Sequence, residues 1–213
     1  ALAATHRLVA PDLRGSGRSV YAGELSWDRL ADDAAALLAR LGIERAVVGG
    51  VSMGSAVAIR FALRHPSKLR GLVLMSPVYP GEDLPLAEPA RVAMHAMGEV
   101  GRRVLEQGID ALRPLFEPLP EPVRSVAMQM ALGFDAKSVA ATTRFLASNE
   151  QPMSSARDLA AIDVPVLLLP GIDPEHPAEV AELYARHFER ASIVEQTAPD
   201  AMEKIARFCA DLD

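Results

Sequence analysis

The stretch AVVGGVSMG, residues 46–54, carries the strongest structural signal in the chain. Its first four residues form an apolar run typical of a buried strand, and a helix is predicted from Met53 until His65-Pro66 ends it. Gly50-Val51-Ser52-Met53-Gly54 therefore forms a tight strand-to-helix turn, in which small residues at 50 and 54 let strand and helix approach. The turn would hold the Ser52 hydroxyl clear of the sheet, at the positive end of a helix. The alternative is a glycine-rich turn with an incidental serine.

Strands and helices alternate on both sides of this turn. Further strands are predicted at 8–10, 72–75, 164–169 and 192–194, and further helices at 27–41, 177–188 and 199–212. Strand, helix, strand at this spacing is typical of right-handed crossovers. The sequence therefore predicts an α/β fold, a mostly parallel sheet with flanking helices.

The alternation is interrupted between residues 79 and 153. This stretch contains no strand-like run, many prolines and short helical patterns such as 90–106 and 123–132. We interpret it as a helical insertion. The predicted organisation is a core of residues 1–78 and 154–213, with an inserted helical segment at 79–153.

Composition excludes several classes of function. A net charge of −6 without a basic run argues against nucleic acid as a partner. No apolar run approaches the roughly 18 residues of a membrane span. Cys209 is the single cysteine, which predicts a small buried apolar side chain, with neither an internal disulfide nor a zinc site. We expect a small-molecule substrate, no metal or organic cofactor, and, from the content of Ala and Arg, a cytoplasmic protein.

The segment VAPDLRGSGRS, residues 9–19, makes a family resemblance specific. It resembles the D-x-R-G-x-G-x-S segment that follows the fourth strand of α/β-hydrolases. The helix at 30–42, the turn around Ser52 and Arg64-His65-Pro66 follow in that family's order, so the resemblance covers essentially the whole chain. It implies an α/β-hydrolase fold in which residues 79–153 form a helical cap that lines the substrate pocket.

The resemblance also implies the nature of the site. Ser52 is the expected nucleophile, and the backbone N–H of Met53 is an expected oxyanion donor. A serine hydroxyl needs a base and an orienting acid. The family's acid lies in the loop after the seventh strand, which here reads PGIDPEHP, residues 170–177. Asp173 is the expected acid and Glu175 a second candidate; the alternative for Asp173 is a turn or helix-capping role.

The histidine departs from the family pattern. It should lie in the loop between the last strand and the last helix, but residues 195–200 contain none. Of the five histidines, only His176 is expected at the same edge of the sheet as Ser52, three residues after Asp173. We predict His176 as a replacement base, with an ordinary loop residue as the alternative. His95 could reach the site from the insertion.

The beginning of the chain departs from the pattern as well. In this family further strands precede the first one found here, and a loop after one of them gives the second oxyanion donor. Residues 1–7 supply neither. A gap in a parallel sheet would leave strand edges unpaired. The sequence is therefore expected to be a fragment, or another segment or chain fills the gap.

Two functions remain open on the sequence alone. The first is a serine hydrolase that acts on an ester or related acyl bond of a small apolar substrate through a Ser52 acyl-enzyme. The second is a catalytically degenerate member that binds a ligand or partner without turnover. A histidine nitrogen within hydrogen-bonding reach of Ser52 would separate them. Serine at position 52 argues against branches with a carboxylate nucleophile, whereas C–C bond hydrolysis and perhydrolysis share the same turn. Met94, Met97, Met128 and Met130 fit either an apolar pocket or ordinary packing.

Overall fold

A computed structural model of the chain describes residues 2–117 and 120–212. Within these residues, four strands form one sheet in the order β1-β2-β3-β4, and each neighbouring pair is parallel. The strands are β1 Ala46–Val51, β2 Leu69–Met75, β3 Val166–Leu169 and β4 Ala191–Ile193. The predicted parallel sheet with flanking helices is confirmed.

The described residues form eight α-helices, six of which lie over the stretches predicted from the sequence. They are α1 Trp27–Arg40, α2 Met53–Arg64, α3 Glu88–Gln107, α4 Arg113–Phe116, α5 Val123–Ala131, α6 Ala136–Ala147, α7 Ala178–His187 and α8 Ala201–Ala210. The 20-residue helix α3 carries charged side chains along its length, such as Arg91, Glu99 and Arg102. Among the described residues, no helix has the length and apolarity needed to cross a bilayer.

The register of the sheet brings the strand ends to a common level. Val51 pairs with Met75, and Met75 pairs with Leu169. Because the strands are parallel, their carboxyl ends meet at one edge of the sheet. The residues that follow these strands, among them Ser52 and the loop at 170–177, therefore start from the same edge.

Apolar side chains cover both faces of the sheet. On one face, α1, α2 and α7 pack on β2 and β3 through residues such as Phe61, Leu74 and Tyr184. On the other face, Ile205 and Cys209 of α8 pack on Val73 and Leu169. Cys209 is buried there as a small apolar side chain. Full burial of each large aliphatic side chain contributes about 1.5–3 kcal/mol, which fixes the sheet that carries the site.

The described chain divides into two compact units. One comprises residues 1–9, 27–90 and 151–213, and it contains the sheet. The other comprises residues 10–26 and 91–150, so the glycine-rich segment after Pro11 belongs with the helices of the insertion. Within this second unit, the Tyr21 N–H donates to Ser138 Oγ at 2.9 Å, and the Thr142 hydroxyl donates to the Gly15 carbonyl at 3.0 Å. The role of residues 79–153 as a cap stays a prediction.

The second unit has its own apolar core. Val100, Val104, Leu112 and Ala131 are buried against one another. The four methionines noted above differ in exposure: Met94 is buried, Met97 and Met128 are half-buried, and Met130 is 62% exposed. Ordinary packing therefore accounts for Met94, and the proposed contribution of the others to a pocket remains a prediction.

The strand predicted at residues 8–10 does not form. Leu8 is 55% and Val9 40% exposed, and residues 8–10 form no regular secondary structure. A strand is stable only when its backbone groups pair with a neighbour. None of the four strands in the described chain pairs with this segment, so its apolar composition alone does not produce a strand.

An ion network on the outer surface links α1 to α2. Arg64 donates to both carboxylate oxygens of Asp32, at 2.7 and 2.9 Å, and His65 Nε2 lies 2.8 Å from Asp32 Oδ1. The hydrogen bond from Arg64 is the main reason why the pKa of Asp32 falls to about 2, and the hydrogen bond of His65 contributes in the same direction. His65 therefore belongs to this network at the end of α2, away from Ser52.

We expect Asp32→Asn to destabilise the fold at neutral pH but not in strong acid. The lowered pKa means that Asp32 contributes stability above pH 4, and that this contribution disappears as the pH falls towards 2. Because the pair is solvent-exposed, the expected loss at pH 7 is only about 0.5–1 kcal/mol. Thermal unfolding of wild type and variant between pH 7 and 2 measures it. Asp163→Asn, at an exposed aspartate outside this network, is the control; a Tm difference for Asp32→Asn that persists at pH 2 would contradict the assignment.

Candidate active site

Ser52 occupies a strained turn between β1 and α2. Its φ is 51° and its ψ −114°, a left-handed backbone that costs a non-glycine residue about 1–3 kcal/mol. The Ser52 N–H donates to the Met75 carbonyl at 3.0 Å, while its carbonyl accepts from the Ser55 hydroxyl at 2.6 Å. These bonds hold the serine backbone to the neighbouring strand on one side and to the first turn of α2 on the other.

The two glycines of this turn have different roles. A Cβ on Gly50 would overlap the backbone of Gly54, whereas a Cβ on Gly54 would meet nothing within 4 Å. The sequence predicted that both positions must be small for strand and helix to approach. The structure places that requirement on Gly50 alone, because a Cβ at Gly54 would stand in open space.

Met53 is the first residue of α2, and its backbone N–H therefore has no acceptor within the helix. The N–H groups of a first helical turn carry partial positive charge and point along the helix axis towards the preceding residue. Here that residue is Ser52. The geometry suits the predicted oxyanion donor, since negative charge beside Ser52 would face the positive end of α2.

Asp173 and His176 are joined by a single tight turn in the loop between β3 and α7. The His176 backbone N–H donates to the Asp173 carbonyl at 3.1 Å and to Asp173 Oδ1 at 2.9 Å. His176 Nδ1 lies 2.7 Å from the same carboxylate oxygen. A Cβ on Gly171 would overlap the His176 carbonyl oxygen, so this turn closes only over glycine. The turn therefore orients both the backbone and the ring of His176.

The other ring nitrogen of His176 contacts the serine. His176 Nε2 lies 2.8 Å from Ser52 Oγ, which makes a continuous line from Asp173 through His176 to Ser52. The side chain of His176 is 23% exposed and that of Asp173 44%. An acid and a base three residues apart on one loop therefore both align with Ser52.

The charge state of Asp173 suits this line of contacts. Burial raises the pKa of Asp173. The hydrogen bond from His176 and the charge interaction with it together lower that pKa by more, so the net pKa lies below the usual value. Asp173 is then ionised at neutral pH, and its carboxylate can accept a hydrogen bond from the Nδ1–H of His176. When neutral His176 carries its proton on Nδ1, the lone pair of Nε2 faces the Ser52 hydroxyl.

The other histidines have the following places in the fold. His6 contacts Thr5 through Nδ1, and His187 ends α7. His95 lies on α3 in the second unit, and its reach towards Ser52 stays a prediction. The carboxylate that contacts the His176 ring is that of Asp173 and not that of Glu175. In residues 2–117 and 120–212, no group of three or more His, Cys, Asp or Glu side chains is placed to hold a metal ion.

A polar pair that no sequence motif singled out lies at the same edge of the sheet. Ser76 follows β2 with a left-handed φ of 45°, and its hydroxyl donates to Gln196 Oε1 at 2.9 Å. Gln196 stands in the loop between β4 and α8, where the family resemblance places a histidine. The sequence signal for Ser76 was only the Ser-Pro step that closes β2.

Known proteins resemble this chain over most of its length. Residues 1–113 match the model of the alpha/beta hydrolase fold family. The 2-hydroxymuconate semialdehyde hydrolase of Pseudomonas sp. (strain CF600) is 37% identical over 89 residues, 41% of this chain and 31% of that protein. The AB hydrolase superfamily protein YisY of Bacillus subtilis (strain 168) is 28% identical over 206 residues, 88% of this chain and 72% of that protein. The chain spans about three tenths of the length of the two semialdehyde hydrolases it matches.

The chain is also similar in three dimensions to a solved structure. A thermophilic esterase from Thermogutta terrifontis superposes with a TM-score of 0.68 at 27% identity, over 94% of this chain and 77% of that one. At this identity and TM-score the two chains share the same fold.

Matched alanine substitutions around Ser52 test the geometry of the turn. We expect Gly50→Ala to lower the Tm by roughly 6–12 °C, because the added Cβ displaces α2 from β1 at a cost of about 3 kcal/mol. Gly54→Ala should leave the Tm unchanged or raise it by up to about 2 °C, since alanine favours a helix. Calorimetry of both variants measures the difference. Equal destabilisation by the two substitutions would show that the turn is built differently.

Proposed function

The chain belongs to the α/β-hydrolase fold family, and from that premise we propose that it is a serine hydrolase in which Ser52, His176 and Asp173 form the catalytic triad. The 2.8 Å contact between His176 Nε2 and Ser52 Oγ carries the proposal. It supports turnover over the alternative, a degenerate member that only binds, because a base in contact with the hydroxyl is what a degenerate site lacks.

The proposed reaction cleaves an ester through an acyl-enzyme. Ser52 Oγ attacks the carbonyl carbon while its proton passes to His176 Nε2. The C–O bond to the alcohol then breaks, and His176 returns the proton to the departing oxygen. Water attacks the acyl-Ser52 ester, its proton passes to Nε2, and the acid leaves as Ser52 recovers the proton. No metal or organic cofactor enters these steps.

Three groups would stabilise the charges of this reaction. Asp173 lies against Nδ1 and stabilises the imidazolium that forms when His176 accepts a proton. The Met53 N–H would donate to the oxygen of the tetrahedral intermediate, with help from the positive end of α2. Removal of one such donor in hydrolases costs about 10²–10³ in rate.

The substrate class proposed here is an ester or related acyl compound of small size. The esterase from Thermogutta terrifontis and the semialdehyde hydrolase from Pseudomonas support hydrolysis as the reaction type. A mainly apolar acyl group is part of the proposal, in keeping with the cap that the family resemblance predicts for residues 79–153.

Labelling with a fluorophosphonate tests the nucleophile and its base together. We expect a single adduct at Ser52, located by mass spectrometry, and none in Ser52→Ala. His176→Ala should slow labelling at least 100-fold, the lower end of what a positioned general base contributes. His187→Ala, at the end of α7 and outside the site, should label at the wild-type rate. Unlabelled Ser52 in folded protein would refute the proposed function.

Gly171→Ala tests whether the tight turn positions the His176 ring, because it disturbs the turn and leaves His176 in the chain. The added Cβ would overlap the His176 carbonyl, so the turn must open and the ring must leave Ser52. We expect fluorophosphonate labelling at least 10-fold slower than in wild type, with both triad partners still present. Gly133→Ala, where a Cβ would make only an ordinary contact at 3.4 Å, is the control. A wild-type labelling rate in Gly171→Ala would mean that the turn does not position the base.

A further inference from the structure

Gln196 occupies a position that the proposed triad leaves unused. It lies in the loop between β4 and α8, at the carboxyl edge of the sheet where Ser52 and Asp173 also lie. The side chain is half-buried. It extends from the loop of β4 to the residue that follows β2, and so it passes over the end of β3.

Ser76, the partner of Gln196, is the direct neighbour of Ser52 in the sheet. The two serines follow the paired residues Val51 and Met75, and the Ser52 N–H donates to the Met75 carbonyl. Adjacent strands lie about 4.8 Å apart, so the Gln196 carboxamide lies on the order of 8 Å from the Ser52 hydroxyl. That distance is too long for contact with the reacting carbonyl and fits a second group of a bound substrate.

The hydrogen bond between Ser76 and Gln196 fixes which end of the carboxamide is available. The hydroxyl of Ser76, which is 4% exposed, donates to Oε1 of Gln196. Oε1 is therefore turned towards Ser76, and the two N–H groups of Nε2 remain to donate elsewhere. Ser76 also has a left-handed backbone, and its N–H is bonded to the Leu169 carbonyl at 2.8 Å. A rigid residue thus orients the amide.

We propose that Gln196 is a specificity-determining residue whose Nε2 donates to a second oxygen acceptor of the substrate, and that Ser76 positions it. This inference rests on the proposed function. It narrows the substrate class to acyl compounds with a keto, hydroxy or carboxylate oxygen three or four bonds from the scissile carbonyl. A carbonyl at the fourth carbon of the acyl chain places its oxygen several ångströms from the reacting carbon, so that a hydrogen bond of about 2.9 Å can link it to Nε2 of Gln196.

A matched pair of esters tests the proposal. p-Nitrophenyl levulinate and p-nitrophenyl valerate have the same chain length and differ by the carbonyl at the fourth carbon. We expect the ratio of kcat/KM for levulinate to kcat/KM for valerate to fall at least 5-fold in Gln196→Leu, mainly through a higher KM for levulinate. Ser76→Gly, which tolerates the left-handed backbone, should give an intermediate ratio. Gln107→Leu at the exposed end of α3 is the control.

Two outcomes would overturn the assignment. If Gln196→Leu slows both esters equally, or leaves the ratio at the wild-type value, Gln196 does not read the second oxygen. Binding to Ser52→Ala provides a readout that needs no turnover: titration calorimetry should show ethyl levulinate binding at least 5-fold more tightly than ethyl valerate, and Gln196→Leu should remove the difference. Equal binding overturns the inference, whereas selective binding without ester hydrolysis would refute only the proposed function.

Discussion

The alignment of three parallel strand ends is the constraint on which the candidate site depends. Val51, Met75 and Leu169 stand in register, and two further hydrogen bonds, from the N–H of Ser52 and of Ser76, extend the ladder one residue beyond the strands. Segments far apart in sequence therefore start at one level. Both Ser52 and Ser76 then have a positive φ, so the chain turns sharply directly after each of the two strands.

The turn from Asp173 to His176 reduces the number of long-range contacts that the site needs. Three hydrogen bonds join the two residues, two of them from the backbone N–H of His176, so the orientation of the ring relative to the carboxylate is set locally. Only the contact with Ser52 depends on tertiary structure. A triad whose acid and base lie on separate loops has two such contacts. The local arrangement lowers the entropic cost of ordering the histidine.

The sequence predicts the elements of this site better than their geometry. The turn around Ser52 is visible because a strand pattern meets a helix pattern at Gly50-Val51-Ser52-Met53-Gly54, and His176 is visible because the loop after a strand must lie at the edge where Ser52 lies. The distance between Ser52 and His176 is not visible in the sequence, because it depends on how closely the loop folds at Gly171. The strand predicted at residues 8–10 does not form for the same reason. An apolar run becomes a strand only where a neighbouring strand is placed to pair with it. The grouping of residues 10–26 with the helical unit depends on hydrogen bonds such as that of Thr142 with Gly15, which leave no local pattern.

The charges at the edge of the sheet are arranged along one line, and this favours movement of a proton from Ser52 to His176. At one end stands the Asp173 carboxylate, whose lowered pKa keeps it ionised. At the other end stands the first turn of α2, with partial positive charge on its N–H groups. Transfer of a proton from serine to histidine creates a cation next to the carboxylate and leaves negative charge next to the helix end, so each new charge meets its opposite. The reverse polarity, with a cation behind the histidine or the carboxyl end of a helix behind the serine, would raise the energy of the same step. The order of Asp173, His176, Ser52 and α2 therefore matters for the proposed chemistry as much as the distances between them.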